Sequence, residues 1–186
     1  MAIFYLVRHG EADYTKVEEC GCWGFGRDLA PLSESGVKQA EQTAMDKRLK
    51  NADIIVSSPY TRALQTAHII SYHTGIKVVV ESKLHEWQPD LTNQYKSAAE
   101  VIALKDEFIK CQGVCPEGEN TRWETLEHMR IRMRQVADKY ADYEKVIIVG
   151  HGMSLRTLTY IEELKPAGIV ELNYETGQPD CKYSFY

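Results

Sequence analysis

The chain contains no apolar run approaching the roughly 20 residues needed to span a bilayer, and no repeat, linker or low-complexity segment interrupts it. A transmembrane helix is therefore not expected. Residues 1–7 are apolar but meet Arg8 and His9 without a basic leader or a cleavage region, so they read as a strand rather than a signal peptide. Cysteine is sparse, with five in 186 residues, and the odd count leaves one thiol over in any full pairing. Reduced thiols in a soluble, cytoplasmic protein are the expectation. Cys20 and Cys22, with Cys111 and Cys115, form a conceivable four-thiolate zinc set, although neither spacing is the usual Cys-x-x-Cys. A basic excess is also missing: Lys and Arg number 22 against 27 Asp and Glu, for a net charge of −5. Nucleic-acid phosphates and anionic membranes repel such a chain on average, so neither is expected as a partner. Any anion it binds needs a local cationic pocket.

What is present suits one domain spanning residues 1–186, because 44% hydrophobic and 26% charged residues supply both an interior and a solvated surface. Apolar and β-branched runs predict strands at 3–7, 53–57, 76–80 and 146–149, with weaker candidates at 169–174 and 182–186. Ser33 can cap a helix reaching about residue 50 through Val37, Ala40, Ala44 and Leu49, and Ser58 and Pro59 can start another that ends near Gly75. Helical spacing recurs over 96–112 through Ala98, Val101, Ile102, Phe108 and Ile109. After a capping box at Thr121 and Glu124, Trp123, Leu126, Met129, Met133, Val136, Tyr140 and Tyr143 form a stripe that reads as core. A last helix is expected over 154–164, with residues 11–31 a loop and 81–94 irregular. Strands alternating with helices predict an α/β three-layer sandwich, a mostly parallel sheet with helices on both faces. Ligands of such sheets bind beyond the carboxyl ends of the strands. No predicted helix shows a second apolar face, so the sequence does not speak to oligomeric state.

The residues at those strand ends share one chemistry. They are Arg8-His9-Gly10, the run from Ser57 to Arg62, Leu84-His85-Glu86 and Gly150-His151-Gly152. Two guanidiniums provide planar, permanently charged forks that match phosphate oxygens. Arg62 falls in the first turn of its helix, where the N-terminal partial charge also favours an anion. A neutral imidazole at His9, kept unprotonated by the adjacent arginines, can attack phosphorus, and His151 can donate to the equatorial oxygens. Glu86 can protonate the leaving oxygen and then activate water, with Asp90 and Asp13 as other acids within range. Tyr14, Trp23, Phe25 and Trp87 either stack on the leaving group at the entrance or pack the loops. Arg27, Lys16 and Lys96 are candidates for a second anionic group.

Arg8-His9-Gly10-Glu11, the stretch Ser57-Ser-Pro-x-x-Arg62-Ala-x-Gln-Thr-Ala67, Leu84-x-Glu86 and Gly150-His151-Gly152 resemble the histidine phosphatase superfamily, also called phosphoglycerate mutase-like. Pro31-Leu-Ser-x-x-Gly36-x-x-Gln-Ala40 and Pro116-x-Gly-Glu119 extend the match to roughly residues 3–160. The resemblance implies phosphorylation of His9, phosphoryl binding by Arg8, Gly10, Arg62 and His151, proton transfer by Glu86, no metal or other cofactor, and one antiparallel strand in the sheet. Thr15 stands where the family often has a phosphate-binding Asn, so the resemblance implies that it either binds the phosphate less well or leaves that contact to water. Cofactor-dependent mutases carry Glu-Arg-x-Tyr-Gly where this chain has Glu86-Trp-Gln-Pro-Asp90, and their tandem arginines are missing. A phosphatase of small phosphate monoesters is the expectation, ahead of a phosphoglycerate mutase or a catalytically silent phosphoester-binding domain. A metal hydrolase using His9, His85 and His151 is disfavoured, since two arginines would repel the ion.

Overall fold

The central run Val146–Val149 has no polar side chain on either face, which suits a strand covered on both sides, and it lies in the middle of the sheet. The computed structural model describes residues 1–118 and 120–185. Five strands, β1 (Ala2–Arg8), β2 (Ile54–Ser57), β3 (Val78–Val80), β4 (Lys145–Gly150) and β5 (Ile169–Tyr174), lie in the order β3-β2-β4-β1-β5. All neighbours are parallel except β5, which runs antiparallel to β1 along one edge.

Alternate residues serve opposite faces. Tyr5, Val7, Ile55, Ile147 and Val149 pack with Ala63, Ala67 and Ile70 of α3 (Thr61–Thr74) and Ala44 of α2 (Glu34–Ala44). Phe4, Leu6, Val56, Val146 and Ile148 meet Met133, Val136 and Ala137 of α5 (Leu126–Lys139) and the chain from Leu155 to Leu164. Each large apolar side chain so enclosed contributes about 1.5–3 kcal/mol. A third cluster joins Trp87, Phe108, Trp123, Leu126 and Met129, seating α4 (Ala98–Lys110) beside α5.

The register decides where the strands stop. Arg8 pairs with Gly150, and both Val7 and Ser57 pair with Val149. His9, Ser58 and His151 therefore emerge side by side, and the His9 N–H still donates to the Gly150 carbonyl at 3.0 Å.

Several boundaries differ from the sequence expectation. Within 11–31 the chain is not wholly loop: it forms α1 (Thr15–Glu19) and a 3-10 turn, Gly24–Leu29. Ser33 does cap α2, but the helix stops at Ala44 and Leu49 belongs to a separate 3-10 turn. α3 begins at Thr61, with Tyr60 in extended backbone as its N-cap residue, so Ser58 and Pro59 lie outside the helix. Thr125, not Thr121, caps α5: its hydroxyl accepts from the His128 N–H, while Glu124 is drawn to Arg132. The final helix is only α6 (Gly152–Leu155), and residues 182–185 form no strand. Val37, Ile102 and Tyr143, expected on apolar faces, are exposed. Glu119 of the Pro116-x-Gly-Glu119 match and Tyr186 lie outside the described residues.

Candidate active site

Gly10 lets the first strand end close against α2, because a Cβ there would lie 2.4 Å from the Gly36 carbonyl oxygen. Its N–H donates to Thr66 Oγ1, and its carbonyl lies 2.6 Å from His9 Nδ1. The Nδ1 proton is thus committed to a carbonyl and the lone pair is left on Nε2, which is the tautomer a nucleophile at Nε2 needs. Arg62 Nε donates to that Nε2 at 3.3 Å. Burial, then the Arg62 guanidinium and, more weakly, Arg8, lower the His9 pKa to about 3 against the opposing Gly10 bond, so the ring is neutral at physiological pH.

His151 lies edge-on to His9, with ring centroids 5.0 Å apart, and is fully buried. Its pKa is held well below the usual histidine range by burial and then by Arg62. Ser58 Oγ accepts from the Tyr60 N–H at 3.3 Å and lies 2.7 Å from His151 Nε2; in the tautomer in which the Ser58 hydroxyl donates to that nitrogen, Nδ1 carries the ring's own proton. That Nδ1, Arg8 Nε and Arg62 Nη1 are buried without a hydrogen-bond partner. Three unsatisfied donors on three separate strand ends are costly unless an acceptor joins them, and a tetrahedral oxyanion has the oxygens to do so. The other arm of Arg8 is fixed by Nη1 donating to the Leu164 carbonyl at 2.7 Å.

Glu86 borders the same region. Its carboxylate accepts from the backbone N–H groups of Trp87 (2.8 Å), Met153 (3.1 Å) and Ser154 (2.9 Å), bridging the chain after β3 to the start of α6. With Tyr14, Arg27, Asp28, Tyr60, Arg62, Tyr95 and Lys105 it lines a cleft of about 280 Å³; His9 and His151 do not line it themselves but touch two residues that do, His9 through its bond from Arg62 and His151 through its ring contact with Tyr60.

The remaining sequence candidates fall outside this cluster or take other tasks. Thr15 is exposed at the head of α1, where its N–H donates to Asp13, and it does not line the cleft. Asp90 is buried in bonds from Arg122, Thr92 and Gln94; burial works to raise its pKa, and these bonds more than offset it and hold it low. Tyr14 does face the cleft, with the Arg27 guanidinium 4.4 Å from its ring centroid. Trp87 lines the cleft but is mostly core, packing on Phe108 and donating Nε1–H to the Glu124 carbonyl. Trp23 borders a neighbouring depression beside Lys96, and Phe25 is exposed. Among the described residues no group of three His, Cys, Asp or Glu side chains is placed to hold a metal ion, which removes both the four-thiolate set and the three-histidine set, and the cysteines form no disulfide.

Sequence reasoning missed Asp28. Its carboxyl faces the cleft, and burial pushes its pKa up to about 6 despite the Arg62 guanidinium. No motif marks it. Arg132 was missed too, although a charged residue on the buried Met129–Met133 side of α5 is itself a signal.

Comparison with known proteins identifies the family and the fold. The sequence pattern of the histidine phosphatase superfamily (branch 1) matches residues 4–181. A protein of Hydrogenobacter thermophilus named putative phosphoserine phosphatase 2 is 31% identical, over 98% of this chain and 95% of that one. A 2,3-bisphosphoglycerate-dependent phosphoglycerate mutase 2 of Lactiplantibacillus plantarum is 26% identical, over 96% and 92%. The crystal structure of phosphoglycerate mutase from Bacillus anthracis shares the fold, with a TM-score of 0.69 at 20% identity, covering 95% of this chain and 89% of that one. The chain belongs to the histidine phosphatase superfamily, whose members act on phosphate esters.

Proposed function

We propose that this protein is a phosphomonoesterase that hydrolyses small phosphorylated metabolites through a phosphohistidine on His9. The carrying observation is a neutral His9, its Nδ1–H tied to the Gly10 carbonyl, beside three buried donors that lack acceptors. In this reading the phosphoryl group takes bonds from Arg8, Arg62 and His151 Nδ1, and Arg62 Nε leaves His9 Nε2 as it does so. The Nε2 lone pair then forms the N–P bond while the ester P–O bond breaks, and a proton from Glu86 goes to the departing alkoxide. Water next attacks phosphorus, gives its proton back to Glu86 and releases inorganic phosphate with His9 regenerated. The donors gain most where charge spreads over the equatorial oxygens. No metal or other cofactor takes part in these steps.

Residues 1–186 act as one catalytic domain, and cysteines without disulfides suit a reducing, cytoplasmic setting. Among the described residues no helix is long and apolar enough to cross a membrane.

The test is hydrolysis of 4-nitrophenyl phosphate in chelator by the wild-type chain and His9→Ala. The variant is expected to lose on the order of a thousandfold or more, and acid-labile phosphate on wild-type histidine should be trapped by rapid quench. Normal turnover by His9→Ala would end the reading. Isomerisation of a phosphoglycerate primed by a bisphosphate, at a rate exceeding hydrolysis, would favour a mutase instead. Stoichiometric binding without turnover would favour a silent domain.

A further inference from the structure

Between β3 and α4 the chain that carries Glu86 forms only the short 3-10 turn Ser82–Leu84, and the carbonyls of Lys83, His85 and Glu86 take no backbone N–H from a ladder or helix. A single side chain on a different element collects them. Arg132 Nη1 donates to the carbonyls of Lys83 (2.6 Å) and His85 (2.7 Å), and Nη2 to that of Glu86 (3.3 Å). The guanidinium is itself gripped by Glu124, with Nε on Oε1 at 2.6 Å and Nη2 on Oε2 at 2.9 Å. Glu124 binds the same segment a second time: its N–H donates to the Gln88 carbonyl (2.9 Å), its Oε2 accepts from the Gln88 N–H (3.4 Å), and its carbonyl accepts from Trp87 Nε1 (2.8 Å). Both side chains are buried, Arg132 at 8% exposure and Glu124 at 4%.

A buried ion pair is seldom a better filling than apolar side chains of the same volume. What this pair does that apolar groups would not is fix the backbone on both sides of Glu86, residues 83, 85, 86 and 88, to the middle of α5 and to the residue just before its cap. Glu86 in turn reaches across to the N–H groups of Met153 and Ser154, just after His151. An error in the backbone at residue 86 therefore moves the carboxylate relative to the phosphoryl pocket without touching Arg8, His9 or Arg62.

We infer that Arg132, clamped by Glu124, is a positioning residue for proton transfer by Glu86, and this rests on the reading of Glu86 as the proton donor. It touches neither phosphate nor leaving group; it sets where the acid stands.

The experiment compares kcat/KM for an alkyl phosphate, glycerol 2-phosphate, with that for 4-nitrophenyl phosphate, whose leaving group departs without a proton. The ratio of the two on one preparation is independent of the fraction folded, and kcat/KM stops short of the water step. Glu86→Gln should lower the alkyl rate by about a hundredfold or more relative to the aryl rate, the usual worth of a general acid. Arg132→Lys, which keeps the charge and loses the fork, and the paired Arg132→Met with Glu124→Leu should each lower the same ratio about tenfold or more. Purely structural damage lowers both substrates alike and leaves the ratio unchanged. If Glu86→Gln shifts the ratio and the Arg132 variants do not, the positioning role is overturned while the proton-donor reading stands. If Glu86→Gln leaves the ratio unchanged, the proton-donor reading falls and takes the role of Arg132 with it.

Discussion

His9 and Asp28 sit close to the same guanidinium, and burial moves their titrations in opposite directions. The unfolded chain takes up a proton on this histidine near pH 6.5, whereas the folded chain refuses it until about 3, so His9 costs the fold stability as pH falls through that interval. Urea unfolding from pH 7 to pH 4 should show a loss that is smaller in His9→Gln; equal slopes would contradict the burial argument. For the same reason the nucleophile should impose no acid limb on kcat/KM above about pH 4. Asp28 behaves in the reverse sense. The folded chain holds its proton up to about pH 6 where the unfolded chain releases it near 3.8, so stability falls as pH rises between those values and stays lower above them. Asp28→Asn should therefore stabilise the protein at pH 7.5 by roughly 1–2 kcal/mol, after allowing for the solvent that reaches the cleft. A lower melting temperature for that variant would count against it.

At the level of elements, the ends of strands and helices matter more than their middles. Thr125 accepts from the third N–H of α5 and so anchors the helix that carries Arg132. Thr125→Ala should cost about 1 kcal/mol in urea titration, and more than Thr121→Ala, whose hydroxyl donates to the Trp123 carbonyl and caps no helix. The close approach of the β1 end to α2 is stricter. Gly10→Ala would drive a Cβ into the Gly36 carbonyl, with an expected loss of about 2–3 kcal/mol. Activity should fall further than stability, because the displaced backbone carries the carbonyl that orients His9; full activity in a folded Gly10→Ala would show that this bond is dispensable.

For the whole molecule, a net charge of −5 surrounds a pocket whose arginines face inward, so anion binding depends on local geometry rather than overall charge. Inorganic phosphate should raise the unfolding free energy by about 2.7 kcal/mol at a hundredfold excess over its Kd, read as a higher unfolding midpoint. Arg62→Ala should abolish that gain while chloride at equal ionic strength gives none. A uniform salt effect on both proteins would mean the buried donors are not the phosphate site. The sheet makes this pocket possible because β4 enters between β2 and β1, bringing three strand ends to one level although β4 is separated from β1 by more than 130 residues.

The amino-acid order by itself determined the alternation of strands and helices, the Ser33 cap, the Gly75 terminus and the strand-end motifs around Arg8, His9, Arg62, Glu86 and His151. All of these follow from local periodicity, capping chemistry and residue type, which need no distant neighbour. Only the tertiary structure decided that Asp28 joins the cleft, that Thr15 stays outside it, that Asp90 is spent on Arg122 and that Arg132 holds the Glu86 segment. Those outcomes depend on which groups lose water together and which carbonyls are left without a partner. Such quantities exist only once segments remote in the chain have packed against one another.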